Sequence, residues 1–310
     1  MSIVNSLVYK VEAVHVLGLL LLGKHRRRTQ KMVSEMKLIP GLSAVFENFV
    51  WKVRGNRTGA HDRLAGHNPS CQCSPEVAIK IQVMRVIHSF CDHSEYKHLM
   101  LTRSELAEVQ RINEKAGLLQ IQGLDQVDKN NMCKGKVGLL AKIVEVLKKE
   151  PTDSTFCFWF CRVIDSYLRG TTSFCDQVFL LRRGVLQHIV GKLLDGEQKT
   201  KEILQSSFDL LAELMKFNIE AFKIAEDVLR TTELRKKFRE LTNSYIVDSN
   251  MFIRSTILSY FFFCNEQPEY ADYSKNVNYM LSYIGDFQHQ VNYLHELVSL
   301  TTVHNISQVR

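Results

Sequence analysis

The sequence predicts an all-α fold, an α-solenoid of degenerate armadillo- or HEAT-like helical repeats. Three observations lead there. Residues 156–217 are a succession of short amphipathic helical segments, each ended by a visible stop. The 310 residues contain only 5 prolines and 15 glycines, too few breakers for a many-turned β fold. Strand-like alternation is missing over any useful length, and with no clean repeat period the repeats must be degenerate. A compact all-α bundle is the alternative. The whole of 1–310 is read as one armadillo-like helical domain, a portion of a longer solenoid.

Residues 3–23 read as an apolar helix. Its core, Val14 to Leu22, is too short to span a bilayer, so it is expected to be buried rather than inserted. Residues 32–50 form a second helix that Pro40-Gly41 divides in two. Residues 54–75 are polar, rich in Gly and His, and read as a mobile loop. Ser74-Pro75-Glu76 then opens a helix: Ser as N-cap, Pro at the first helical position, Glu at the positive end of the dipole. Val77, Ile81, Met84, Ile87 and Cys91 fall on one face of it, with Lys80 and Arg85 off that face.

A polar helix is expected over 102–116 and a second mobile loop over 120–136. Val137, Leu140, Val144 and Leu147 stripe the next helix, which ends at Lys148-Lys149 before Pro151. Phe156, Phe160, Val163 and Tyr167 stripe another, stopping at Gly170. Thr172 or Ser173 caps its successor, which runs to Gly184. Ile203, Ser207, Leu210, Leu214 and Phe217 make a long stripe ending at Asn218. Segments 219–229, 231–243, 248–263 and 277–300 continue in the same style.

The charge and cysteine usage set limits on function. The net charge of +7 is mild for this length, and 45 % hydrophobic residues suit a folded chain rather than a disordered one. The densest basic run, Lys24 with Arg26, Arg27 and Arg28, reads as a solvated helix end. Eight cysteines without a secretory signal suit reduced thiols in a cytosolic or nuclear protein. Cys157, Cys161 and Cys175 are expected to serve as small hydrophobes.

Signals for chemistry are weak. Cys71, Cys73, His88, Cys91, His93 and His98 include metal-ligand types, but Cys-x-Cys is a poor spacing for structural zinc. No cysteine combines a helix N-terminus with a neighbouring base. Phosphate-loop and dinucleotide glycine patterns do not occur. Phe156, Phe158, Trp159 and Phe160 beside Arg162 resemble a base-stacking platform, yet at helical spacing they read as core. No catalytic, cofactor-binding or metal residue is assigned, and no cofactor or nucleic-acid partner is expected. The partner-binding candidates cluster at one helix corner: Arg169, Thr171, Thr172, Asp176, Arg182 and Arg183, with the Thr, Asp and Arg side chains expected to be exposed.

Several blocks in the same order carry a resemblance: CQCSPEVAIKIQVMRVIHSF, VGLLAKIVEVLKKEP, SYLRGTTSFCDQVFLLRRGVLQHI, ILQSSFDLLAELMKFN and IVDSNMFIR. They resemble the transient receptor potential channel 4-associated protein (TRUSS) family, from about Leu17 to the end. The resemblance implies a cytoplasmic, including perinuclear, armadillo-like scaffold. It also implies a non-enzymatic substrate receptor of a cullin-4 RING ubiquitin ligase, docked through the ligase's propeller adaptor and reading C-terminal degrons. The alternative it implies is a signalling scaffold that tethers tumour necrosis factor receptor or calcium-channel tails without ubiquitin transfer. This chain matches only a middle portion of that family's length.

Overall fold

The structure, a computed structural model, describes residues 3–51, 75–116, 124–152, 154–170, 173–196, 199–245 and 251–262. The expected loop over 54–75, apart from Pro75, and the expected helix over 277–300 lie outside these residues. Among the described residues the chain is all-helical, with thirteen α-helices and no strand. They are α1 (Ile3–Leu20), α2 (Arg26–Glu35), α3 (Leu38–Glu47), α4 (Pro75–Cys91), α5 (Arg103–Glu114), α6 (Leu139–Leu147), α7 (Thr155–Leu168), α8 (Ser173–Leu181), α9 (Val185–Leu194), α10 (Lys201–Met215), α11 (Ile219–Val228), α12 (Thr232–Tyr245) and α13 (Met251–Phe261). Short 3-10 turns occupy Lys97–Met100 and Leu124–Gln126.

Packing follows a period of three helices. α1 packs on α4, α4 on α7, α7 on α10 and α10 on α13, so every third helix joins one central row. A second row is visible where α3 meets α6, and a third where α5 meets α8. The central row carries the core. Val83, Met84, Val86, Ile87 and Phe90 of α4 are buried on several sides because α1 and α7 sandwich the helix. Side chains of that size each stabilise the fold by about 1.5–3 kcal/mol on full burial. Lys80 belongs to this interior too. Its stem is buried, its Nζ donates to Val50 O at 2.6 Å, and it lies over the Trp51 and Phe156 rings. Placing it off the buried face is corrected by this packing.

The stops are where the sequence puts them, with two instructive exceptions. The break in 32–50 falls at Lys37, left-handed at φ 56°, and not at Pro40-Gly41. Pro40 sits in the first turn of α3, where an N–H would have no intrahelical partner, so the ring costs nothing there. The basic run Arg26-Arg27-Arg28 opens α2 with Arg27 and Arg28 exposed, the solvated helix end expected of it. The second exception is α9, which begins at the left-handed Gly184 and fills a stretch the sequence reading left unassigned.

Side-chain caps fix several other starts. Ser154 accepts from Phe156 N–H, Thr200 from Ile203 N–H, and Asn218 from Glu220 and Ala221 N–H. Thr102 and Glu105 form a reciprocal capping box at the head of α5. Glu105 Oε2 also accepts from Gly138 N–H at 2.9 Å. Gly138 is required there, because a Cβ would lie 2.5 Å from Met100 O and 2.9 Å from Leu101 Cα.

Candidate functional site

The corner between α7 and α8 holds the sequence-predicted binding residues, and the structure separates them into two roles. Thr171 and Thr172 lie outside the described residues. Gly170 makes the turn at φ 115°, and Ser173 Oγ donates to Leu168 O and Gly170 O, both at 2.7 Å. Ser173 thus ties off the carbonyls ending α7 rather than capping α8.

Asp176 is completely buried, a correction to the exposed position expected for it. Its Oδ2 lies 2.8 Å from Lys97 Nζ. Oδ1 lies 2.9 Å from His98 Nε2 and accepts from the Tyr167 hydroxyl at 3.4 Å. Lys97, equally buried, also donates to Tyr167 O at 2.6 Å and Arg169 O at 3.2 Å, and sits over the Tyr167 ring. The one ammonium therefore neutralises Asp176 and satisfies carbonyls at the end of α7, pinning the Lys97–Met100 turn under the corner. Burial alone would push the Asp176 carboxyl up. The Lys97 charge, then His98 and the hydrogen bonds outweigh it and hold the carboxyl down at about 2. Burial, then the Asp176 charge, drives the Tyr167 phenol well above its usual range. This is a structural keystone.

Arg169 faces outward into a chain of alternating charges. Arg26 Nη1 meets Asp92 Oδ2 at 2.6 Å, and Arg169 Nη1 meets Asp92 Oδ1 at 3.2 Å. Arg169 Nη2 meets Asp165 Oδ2 at 2.7 Å. Arg162 Nη1 lies between Asp165 at 3.5 Å and Asp209 at 3.4 Å. Three guanidiniums and three carboxylates so stitch α2, the end of α4, α7 and α10 together, with no net charge left over. Asp165 is the strained member. It is 1 % exposed, and its Oδ1 has no hydrogen-bond partner. Burial pushes its carboxyl up to about 6 against the pull of Arg169 and Arg162. Nearby on α4, burial and then Arg162 push the His88 imidazole down to about 4, and its buried Nε2 is likewise unpartnered.

Arg183 and Arg182 close the other end of α8. Arg183 stacks on Phe179, 3.4 Å from the ring centroid, donates to Phe179 O at 2.9 Å, and pairs with Glu108 of α5 at 3.0 Å. Arg182 reaches the same carboxylate at 3.6 Å and remains 53 % exposed. The corner's charges are largely used in holding helices to one another, and Arg182 is the most open of them.

The remaining candidates resolve into structure. Cys71 and Cys73 lie outside the described residues. Cys91 is buried, with its thiol donating to Met100 Sδ, and His98 belongs to the Asp176 cluster. Among the described residues no group of three or more His, Cys, Asp or Glu could hold a metal ion. Phe156 and Phe160 are core, packed edge-on around Trp51, while Phe158 and Trp159 are half-buried. Cys157, Cys161 and Cys175 are buried, as expected for small hydrophobes. No described helix is long and apolar enough to cross a membrane. The sequence reading missed the Thr102–Glu105 box, although Thr-x-x-Glu is a readable signal, and missed Lys97, for which no local signal exists.

Comparison with known proteins places the chain. It is 40 % identical over 308 residues to the short transient receptor potential channel 4-associated protein of human, and equally to that of mouse. The match covers 99 % of this chain and 38 % of each relative, so the chain spans well under half their length. No solved structure matches. Residues 29–310 match the family described as a protein of unknown function, DUF3689, and the chain belongs to that family.

Proposed function

We propose that this chain is part of a non-catalytic helical scaffold that holds a cytosolic segment of a membrane channel. The observation that carries the reading is 40 % identity across 99 % of the chain to proteins named for association with a short transient receptor potential channel. Those names describe association and not catalysis. The three-helix packing period supports an armadillo-like solenoid, an architecture that offers extended surfaces instead of an enclosed pocket. The proposed contact residues are Arg169, Thr171, Thr172, Arg182 and Arg183, with Arg182 the most open of the described ones. Work in the cytoplasm, including near the nucleus, suits such a role.

The test is affinity purification of the chain from cells, with mass spectrometry of its partners, with and without cullin inhibition. It is paired with direct binding of the purified chain to cytosolic segments of the channel. Recovery of channel segments, reduced by Arg182→Glu, is the expected result. Recovery of cullin-4 and its propeller adaptor with degron-bearing proteins, and no channel binding, would replace the scaffold reading with the ligase-receptor one. Recovery of tumour necrosis factor receptor tails alone would keep the scaffold and change its cargo.

A further inference from the structure

Away from the α7–α8 corner, four cations from separate parts of the chain converge on one depression of about 750 Å3. Lys37 comes from the α2–α3 joint, Arg103 from the head of α5, and Lys129 and Lys134 from the segment leading to α6. Among the described residues no Asp or Glu lines it. The acids beside it, Asp128 and Glu105, hydrogen-bond amide groups of the wall. Asp128 accepts from Asn130 N–H and Asn131 Nδ2, both at 2.9 Å, and Glu105 Oε2 accepts from the Thr102 and Gly138 N–H groups. Gathering four cations around one concavity, with no acid in its lining among the described residues, is unfavourable unless an anion joins them.

The lining adds hydrogen-bonding capacity to charge. Thr102 is 2 % exposed yet lines the depression, and its hydroxyl accepts from Glu105 N–H. Arg103 is held in place by Lys129 O at 3.3 Å and Asn130 Oδ1 at 3.4 Å. The depression opens at the N-terminal end of α5, where the helix dipole favours negative charge. Its volume is that of a small-molecule site, and Met132 and Cys133 line it beside the cations.

We propose that this depression binds a small, multiply phosphorylated ligand of the inositol polyphosphate class, free or as a lipid head group. Lysines act on phosphate as point charges and arginine as a fork, and cations set on several sides of a bowl suit several phosphates rather than one. A singly phosphorylated peptide would leave most of the lining unmatched. An arginine-bearing tail would meet charge of its own sign.

The test titrates the full chain with inositol hexakisphosphate by calorimetry at about 150 mM salt, where long-range surface attraction is screened. In parallel it measures sedimentation with phosphatidylcholine vesicles containing phosphatidylinositol bisphosphate. The pocket variant is Lys129→Glu with Lys134→Glu. The control is Lys24→Glu with Arg27→Glu, the same charge change placed on the other basic run. All four side chains are exposed, and circular dichroism confirms the fold of both variants. The expected result is a loss of roughly tenfold or more in the pocket variant and little change in the control. Binding to the soluble probe indicates a free ligand, and binding to vesicles alone indicates a lipid head group. Equal weakening in both variants would show diffuse attraction and overturn the proposal. So would no binding of either probe, or binding of a phosphoserine peptide with neither.

Discussion

Replacing Asp176 by Asn tests whether the buried pair under the α7–α8 corner holds the fold. The amide keeps the volume and an acceptor oxygen but removes the charge that Lys97 Nζ faces at 2.8 Å in a fully buried site. Removing one partner of a buried pair leaves the other uncompensated and costs about 3–5 kcal/mol, a large share of the roughly 5–15 kcal/mol that holds a typical domain. Acid sensitivity supplies a second figure. The carboxyl sits at about 2 against an ordinary 3.8. That depression corresponds to about 2–3 kcal/mol, at roughly 1.4 kcal/mol per tenfold change in proton affinity. Because the folded value is lowered, this contribution is complete above pH 4 and is lost as pH falls from about 4 to 2. Urea unfolding at pH 7 and along the acid limb reads both quantities. Asp176→Asn is expected to lower stability by about 3–5 kcal/mol at pH 7 and to lose the share of acid sensitivity that Asp176 supplies. Combining it with Lys97→Met should recover part of the loss, since no buried charge then remains. A cost under about 1 kcal/mol at pH 7, or an unchanged acid limb, would refute the keystone.

Four further outcomes are expected. His88 and Asp165 tilt stability in opposite directions between about pH 4 and 6. The lowered His88 value makes stability rise with pH and the raised Asp165 value makes it fall, so Asp165→Asn should uncover a rise of about 2 kcal/mol across that window in urea unfolding. Gly138→Ala should destabilise by about 1–3 kcal/mol, because its methyl meets Met100 O and Leu101 Cα. Gly41→Ala, with open space around it within α3, should be neutral or stabilising by up to about 1 kcal/mol, both read by thermal melts. Val16, Leu19, Leu20 and Leu22 leave an exposed apolar strip along and just beyond α1, so the wild-type chain should self-associate in light scattering, and Leu19→Glu with Leu20→Glu should reduce the scattering mass without changing the far-ultraviolet spectrum.

What the sequence determined by itself was local. Apolar residues at helical spacing announce the helices, because a helix apolar along one side must bury that side. Caps and stops act over three or four residues, which is why Gly170, Gly184 and Asn218 could be read directly. Even the misplaced break in 32–50 is a local matter, a proline in the first turn of a helix mistaken for the end of one. Only the tertiary structure decided which polar residues are buried and with whom. Asp176 follows a glycine turn and an open-looking Thr-Thr-Ser, and nothing nearby in sequence says that Lys97 and His98 wait 78 or more residues upstream. The Arg26–Asp92–Arg169 link joins residues 66 and 77 positions apart, and the four cations of the depression come from positions spread over nearly a hundred. A buried charge is tolerable only beside its partner, and that partner is chosen by how helices stack three apart, information that no short window of sequence contains.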